Sequence, residues 1–175
     1  MSYPREQASR GLLLLFVSAI ISLFSWLPFI GIVAFGLNLY ALYTLSTAAE
    51  GYRTAFYVNI VGIILSVVGM VFKNGFLGAL VDMAIQILNF LSVFFICKTT
   101  GDFLSTVDYR LAGSGTTVWV LYAVCTGVMI LCELLSVIPI INIGAALLSA
   151  GIAVVQFVAG ILYLIFLFRS QKALA

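Results

Sequence analysis

Six long apolar stretches dominate the sequence, and the short segments between them carry nearly all of the charged residues. A helix needs roughly 20 apolar residues, each adding 1.5 Å, to cross the hydrocarbon layer of a membrane. Backbone groups in lipid must also be hydrogen-bonded within the protein, which a helix achieves alone. The pattern therefore predicts an all-α fold, a polytopic membrane helix bundle with six transmembrane helices. The predicted spans are 11–28, 29–49, 54–72, 76–97, 117–138 and 144–168.

Three of the connections between these spans are tight and contain turn-forming residues. Leu27–Gly31 includes Pro28, Ile138–Gly144 includes Pro139, and the third connection begins Lys73-Asn74-Gly75. Links this short place consecutive helices antiparallel. The chain is therefore expected to form three antiparallel hairpins within a single integral membrane domain covering residues 1–175.

The composition supports this class and excludes others. Hydrophobic residues make up 64% of the chain and charged residues only 8%, with a mean hydropathy of +1.25. Soluble domains have roughly a quarter charged residues, so a water-soluble fold is excluded and the lipid bilayer is the expected partner. The net charge of +2 with dispersed basic residues does not indicate nucleic-acid binding.

The basic residues predict the orientation of the chain. Seven of them fall on the side that holds both termini, and only Lys73 falls on the other side. Cytoplasmic loops carry the excess of Lys and Arg, so we expect both termini in the cytoplasm and the protein in the cell membrane. The seven residues are Arg5, Arg10, Arg53, Lys98, Arg110, Arg169 and Lys172.

Two junctions on this predicted inner side place a tyrosine beside an arginine, at Tyr52-Arg53 and Tyr109-Arg110. Tyrosine is enriched at the headgroup level and arginine extends toward phosphates, so all four residues are interpreted as interfacial anchors. The longer inner loop, Lys98 to Thr117, is predicted to hold a short interfacial helix that ends at Gly113-Ser114-Gly115.

Ionisable residues inside spans are costly and mark candidate functional positions. Asp82 in the fourth span and Glu133 in the fifth have similar predicted depths below the outer surface. Each begins a polar stripe at helical spacing, and the sixth span has another stripe. The candidate cavity residues are Asp82, Gln86, Asn89, Tyr122, Thr126, Glu133, Ser149 and Gln156, while Asn38 and Asn59 mark polar positions on the second and third spans.

Two interpretations of these stripes remain open. They form interhelical hydrogen bonds in a packed bundle, or they line an outward-facing cavity between helices 4 to 6 for a small polar or cationic solute. The first interpretation gives a structural or accessory membrane protein, and the second a small transporter, a channel or a solute-binding transport subunit.

Little in the sequence indicates catalysis. There is no histidine, and Cys97, Cys125 and Cys132 form no C-x-x-C pair and are expected to be small buried residues. We therefore expect no enzyme activity, no cofactor and no metal site.

Small residues at four-residue steps let helix backbones approach each other, within the bundle or in a homo- or hetero-oligomer. Such steps occur at Ser18 and Ser22, at Ala146 and Ala150, and at Ala145, Ser149 and Ala153.

The first third of the chain resembles uncharacterised small multi-pass membrane proteins of bacteria and archaea. The resemblance lies in Pro28-Phe29-Ile30-Gly31, in the run from Leu39 to Ser46, and in Tyr52-Arg53-Thr54-Ala55-Phe56. It implies a hairpin with a proline bend and brings no assigned activity. In size and span count the chain is also similar to the substrate-binding subunits of energy-coupling-factor vitamin importers, whose small-residue docking motif Ser18-x-x-x-Ser22 matches only in part.

Overall fold

The structure is a computed structural model that describes residues 3–24, 27–71, 76–136 and 142–175. These residues form six helices, and no strand occurs among them, which confirms the predicted all-α class. The helices are α1 (Tyr3–Ser22), α2 (Pro28–Ser46), α3 (Glu50–Val71), α4 (Phe76–Leu104), α5 (Tyr109–Ser136) and α6 (Asn142–Leu174). Residues 25–26, 72–75 and 137–141 are not described, so Lys73 and Pro139 of the predicted connections lie outside the described residues. In the predicted connection Leu27–Gly31, helix α2 already begins at Pro28, so most of this segment is helical.

Five of the helices, α2 to α6, are long and apolar enough to cross a membrane. In α1 the N-terminal half carries Arg5, Glu6 and Arg10, and the apolar half from Gly11 to Ser22 has a length of only about 18 Å. The helix in the first predicted span is therefore shorter than 11–28, because α1 ends at Ser22 and Pro28 already begins α2.

Helices α3 to α6 extend beyond their predicted apolar spans at the end that carries the charges, whereas α2 ends at Ser46, before the predicted residue 49. α4 continues to Leu104 and α5 begins at Tyr109, because each residue added to an established helix gains one hydrogen bond whether or not its side chain is apolar. The predicted short interfacial helix between Lys98 and Thr117 is therefore wrong. Gly113-Ser114-Gly115 lies within α5, whose start is capped by Asp108 Oδ1, which accepts a hydrogen bond from the Leu111 backbone N–H at 3.0 Å.

The six helices form a closed ring in chain order. Each helix packs against its neighbours in sequence, α1 also packs against α6, and α4 makes a limited contact with α6. Because consecutive helices alternate in direction, residues 3, 46, 50, 104, 109 and 174 lie at one end of the ring, here called the terminal end. Ser22, Pro28, Val71, Phe76, Ser136 and Asn142 lie toward the opposite end.

The best-packed part of the bundle lies near the terminal end. The main buried cluster includes Leu12, Leu45, Tyr52, Leu104 and Leu167, each with no exposed surface. Large apolar side chains on the outside of the ring remain exposed, as lipid contact requires: Phe29, Ile32, Val61, Leu131, Leu147 and Val154 are more than half exposed.

A close approach of helices at the terminal end depends on glycine. A Cβ atom placed on Gly51 of α3 would collide with Thr99 Oγ1 of α4. The Tyr52 hydroxyl also shares a hydrogen bond of 2.8 Å with the Thr100 hydroxyl, and the Tyr52 ring stacks on Phe103 at 6.1 Å between ring centroids. The absence of a side chain at Gly51 thus lets α3 lie directly on α4.

We predict that Gly51→Ala lowers the free energy of unfolding in detergent by about 1–3 kcal/mol, because the added methyl group overpacks this contact. Gly36→Ala is the matched control, since a Cβ at this position in α2 has no atom within 4 Å. In the control the better helix propensity of alanine should leave stability unchanged or raise it by about 0.5–1 kcal/mol. Equal stabilities of the two variants would contradict the close approach of α3 to α4.

Candidate solute cavity in the helix ring

A cavity of about 880 Å³ lies inside the ring, and all six helices contribute to its walls. This volume is in the upper part of the usual range for small-molecule sites, about 300–1,000 Å³. Its polar lining residues are Ser22, Asn38, Asn59, Gln86, Asn89, Ser92, Tyr122, Thr126, Gln156 and Tyr163. None of the described residues that line it is Asp, Glu, Lys or Arg.

The cavity follows from uneven packing along the bundle axis. Leu15, Leu42 and Ile96 line it and also belong to the buried cluster, so they form its wall toward the terminal end. On the other side the lining reaches Ser22 and Leu23, at the last turn of α1. The ring is thus closed by packed side chains near the terminal end and leaves a half-open free volume beyond them.

Three of the lining amides donate hydrogen bonds to a neighbouring helix. Asn59 Nδ2 donates to Ser92 Oγ at 2.7 Å, linking α3 to α4. Asn38 Nδ2 donates to Ser18 Oγ at 3.5 Å, and Gln86 Nε2 donates to Glu133 Oε1. In these orientations the carbonyl oxygens of all three amides remain available as acceptors. The interhelical bonding that the sequence left as one interpretation is therefore present.

Four other polar side chains that line the cavity differ from these amides in their hydrogen bonding. Asn89, Tyr122, Thr126 and Gln156 make no hydrogen bond to any residue within the described ranges. They come from α4, α5 and α6, and the ring of Tyr122 also contacts that of Tyr163, at 6.2 Å between centroids. Their polar atoms are thus left to interact with the contents of the cavity.

Five of the eight predicted cavity residues line the observed cavity: Gln86, Asn89, Tyr122, Thr126 and Gln156. Asp82, Glu133 and Ser149 are not among the lining residues. Asp82 is exposed, and Glu133 is half-buried and bonded to Gln86. Glu133 was expected at the same depth as Asp82, but it bonds to Gln86, which lies about one turn further along α4. Counting residues from the end of each span does not give the axial offset between two helices.

The cavity is lined by more helices than the predicted helices 4 to 6. Asn38 and Asn59 are contributed by α2 and α3. Ser18 of α1 is buried beside Asn38, and Ser22, although exposed, also lines the cavity. Ser92 was missed, although it continues the Gln86 and Asn89 stripe at the next three-residue step. Extension of that stripe was the signal that could have found it.

The predicted interfacial anchors divide into two groups. Arg53, Tyr109 and Arg110 are exposed at the terminal end, where anchoring stays a prediction. Tyr52 instead has no exposed surface and lies among α3 and α4 side chains. It is part of the core because Gly51 brings it onto Thr100 and Phe103.

The described residues offer no grouping of three or more Cys, Asp or Glu side chains that could hold a metal ion. Cys97, Cys125 and Cys132 are buried, as the sequence indicated, at 1%, 1% and 3% exposure.

Comparisons of this chain with protein-family models, with curated proteins and with solved structures find no match. Function therefore has to be inferred from the cavity and the side chains around it.

We predict that Asn59 and Ser92 are energetically coupled. In a double-mutant cycle of Asn59→Ala and Ser92→Ala, unfolding in detergent should give a coupling energy of about 0.6–1.7 kcal/mol. Asn59→Ala combined with Ser18→Ala is the control, since Ser18 bonds to Asn38 and Leu15 instead. The control pair should be additive, and an equally small coupling in both cycles would contradict the α3–α4 hydrogen bond.

Proposed function

We propose that this integral membrane protein binds a small solute in the central cavity, as a transporter or as the solute-binding subunit of one. The observation that carries the proposal is a half-open cavity to which all six helices contribute and whose walls include polar side chains without a hydrogen-bond partner among the described residues. Interhelical hydrogen bonds alone do not require a cavity of this size between the helices.

The energetic cost of removing the polar lining side chains from water supports the binding of a ligand in the cavity. An amide that loses its contact with water without a replacement hydrogen bond costs about 1–3 kcal/mol in proteins. Asn89 and Gln156 lie on helices apolar enough to cross a membrane, and both face the cavity. Their polar atoms need water or a solute, whereas Asn38 and Asn59 have protein partners.

The lining indicates the class of solute. Aliphatic and aromatic residues such as Phe90, Met129 and Phe157 make up the rest of the wall. A solute with a net charge would lose its hydration without an opposite charge in the wall, which is expensive. We therefore propose an uncharged, largely apolar molecule that donates and accepts a few hydrogen bonds, in place of the cationic solute that Asp82 and Glu133 suggested.

The alternative function, assembly with partner proteins through small-residue faces, gains less support. Ser18 is buried within the bundle, and Ser22 and Ala153, although exposed, line the cavity, so these small residues leave room for it. Ala150 is exposed, while the side chains of Ala145 and Ala146 lie outside the described set.

We predict that Ala153→Phe abolishes solute binding, because the larger side chain enters the cavity. Protein purified in mild detergent should carry a small molecule that mass spectrometry detects in wild type and not in this variant. Ala150→Phe is the matched control, with the same substitution at an exposed position of α6 that does not line the cavity.

The control should retain the ligand at the wild-type level, and both variants should show similar melting temperatures. Detection of the same ligand at the same occupancy in Ala153→Phe would contradict binding in the cavity. A wild-type protein that purifies without any small molecule would favour a structural role.

We further propose that the terminal end faces the cytoplasm of the cell. All seven Lys and Arg residues within the described ranges lie in the terminal half of their helices, for example Arg10, Arg53, Lys98 and Lys172. An excess of basic residues marks the cytoplasmic side.

We predict that Lys172→Cys reacts with a membrane-impermeant thiol reagent only after permeabilisation of cells, whereas Asn74→Cys reacts in intact cells. Wild type is the control, since its three cysteines are buried and should not react. Labelling of Lys172→Cys in intact cells would reverse the proposed orientation.

A further inference from the structure

A second, smaller cavity of about 270 Å³ opens between α4 and α5 near the terminal end. It is separate from the central cavity, with which it shares no lining residue. We call it the α4–α5 groove. Its lining residues are Cys97, Lys98, Gly101, Asp102, Tyr109, Ala112, Gly113, Thr116 and Trp119.

Small residues create the groove and aromatic residues bound it. Gly101 and Ala112 face each other across it, and a Cβ on Gly101 would lie 3.7 Å from the Ala112 carbonyl oxygen. Trp119 lies at the deeper side, where its ring meets Phe94 edge-on at 5.1 Å between centroids. Tyr109, which is 83% exposed, stands at the rim.

The groove carries one charge of each sign, and the two do not neutralise each other. Lys98 and Asp102 are four residues apart on α4, a spacing at which opposite charges usually pair. Lys98 Nζ instead lies 5.7 Å from the centroid of the Phe94 ring, one turn further from the helix end. Neither side chain forms an ion pair with a residue in the described parts of the chain.

We propose that the α4–α5 groove binds the headgroup of a phospholipid that carries a phosphate and a primary ammonium. The lysine would hold the phosphate and Asp102 the ammonium. Lys98 lies closer to the middle of the apolar helix and Asp102 closer to its end, about one turn apart. In such a lipid the phosphate lies on the glycerol side and the ammonium is outermost, so the charges match in sign and in order.

The chemistry of the rim narrows the class of lipid. Asp102 accepts hydrogen bonds, which a primary ammonium donates and a quaternary ammonium does not. A headgroup with only negative charge would meet the same carboxylate and be repelled. Tyr109 at the rim supplies the amphipathic ring that favours this level of a membrane.

The proposal can be tested with purified wild-type protein in detergent micelles, stripped of lipid and mixed with equal amounts of three dioleoyl lipids. These are phosphatidylethanolamine, phosphatidylcholine and phosphatidylglycerol, and native mass spectrometry counts which remain bound. We expect phosphatidylethanolamine to be retained about fivefold over phosphatidylglycerol, the size of effect that one exposed charge pair gives. It should also be retained over phosphatidylcholine, whose ammonium is charged but donates no hydrogen bond. Equal retention of all three lipids, or preference for either of the others, would overturn the proposal.

Two variants of α5 locate the site. Gly113→Leu should fill the groove and remove the preference, because a Cβ at Gly113 meets no atom within 4 Å and the fold can accept it. Gly127→Leu is the matched control, since its added Cβ also meets no atom and Gly127 does not line the groove. The control should keep the preference, and a preference that survives Gly113→Leu would also overturn the proposal.

A charge variant tests the assigned order of the headgroup. Asp102→Asn should lose the preference for phosphatidylethanolamine and retain phosphatidylglycerol better than wild type does. Lys98→Gln should weaken retention of all three lipids because each carries the phosphate. An unchanged lipid ratio in Asp102→Asn would contradict the contact between this carboxylate and the ammonium.

Discussion

The structure depends on the requirement that backbone groups inside a membrane be hydrogen-bonded within the protein. Five helices long and apolar enough to cross a membrane meet this requirement, and their backbones have no hydrogen bonds left for one another. Contacts between helices are therefore made by side chains and by close approach of small residues. Asn59 with Ser92, and Gly51 beside Thr99, are examples of the two kinds.

These contacts are distributed unevenly along the axis of the bundle. Toward the terminal end, Tyr52, Leu104 and Leu167 are fully buried, and Ser9 Oγ donates to the Gln171 carbonyl at 3.0 Å to join α1 to α6. Further along the axis the same helices line the cavity. A rigid packed end positions the cavity walls, which reduces the ordering that a bound solute would otherwise require.

Periodicity alone predicted the helices and the inward direction of Gln86, Asn89 and Gln156, because apolar length and a 100° rotation per residue are local properties. It did not predict that Glu133 pairs with Gln86, since axial offset depends on packing between helices. The burial of Tyr52 likewise depends on which helix lies opposite Gly51. Ring closure by α1 and α6 also requires tertiary information.

The contact between α1 and α6 has a consequence for biosynthesis. About 120 residues separate the end of α1 from the start of α6, and a ribosome adds about 5–20 residues per second. The short apolar half of α1 is therefore synthesised on the order of 10 s before α6, the helix against which it packs. Until then one flank of the nascent bundle is open to lipid or to insertion factors, and the cavity lacks the wall that α6 contributes.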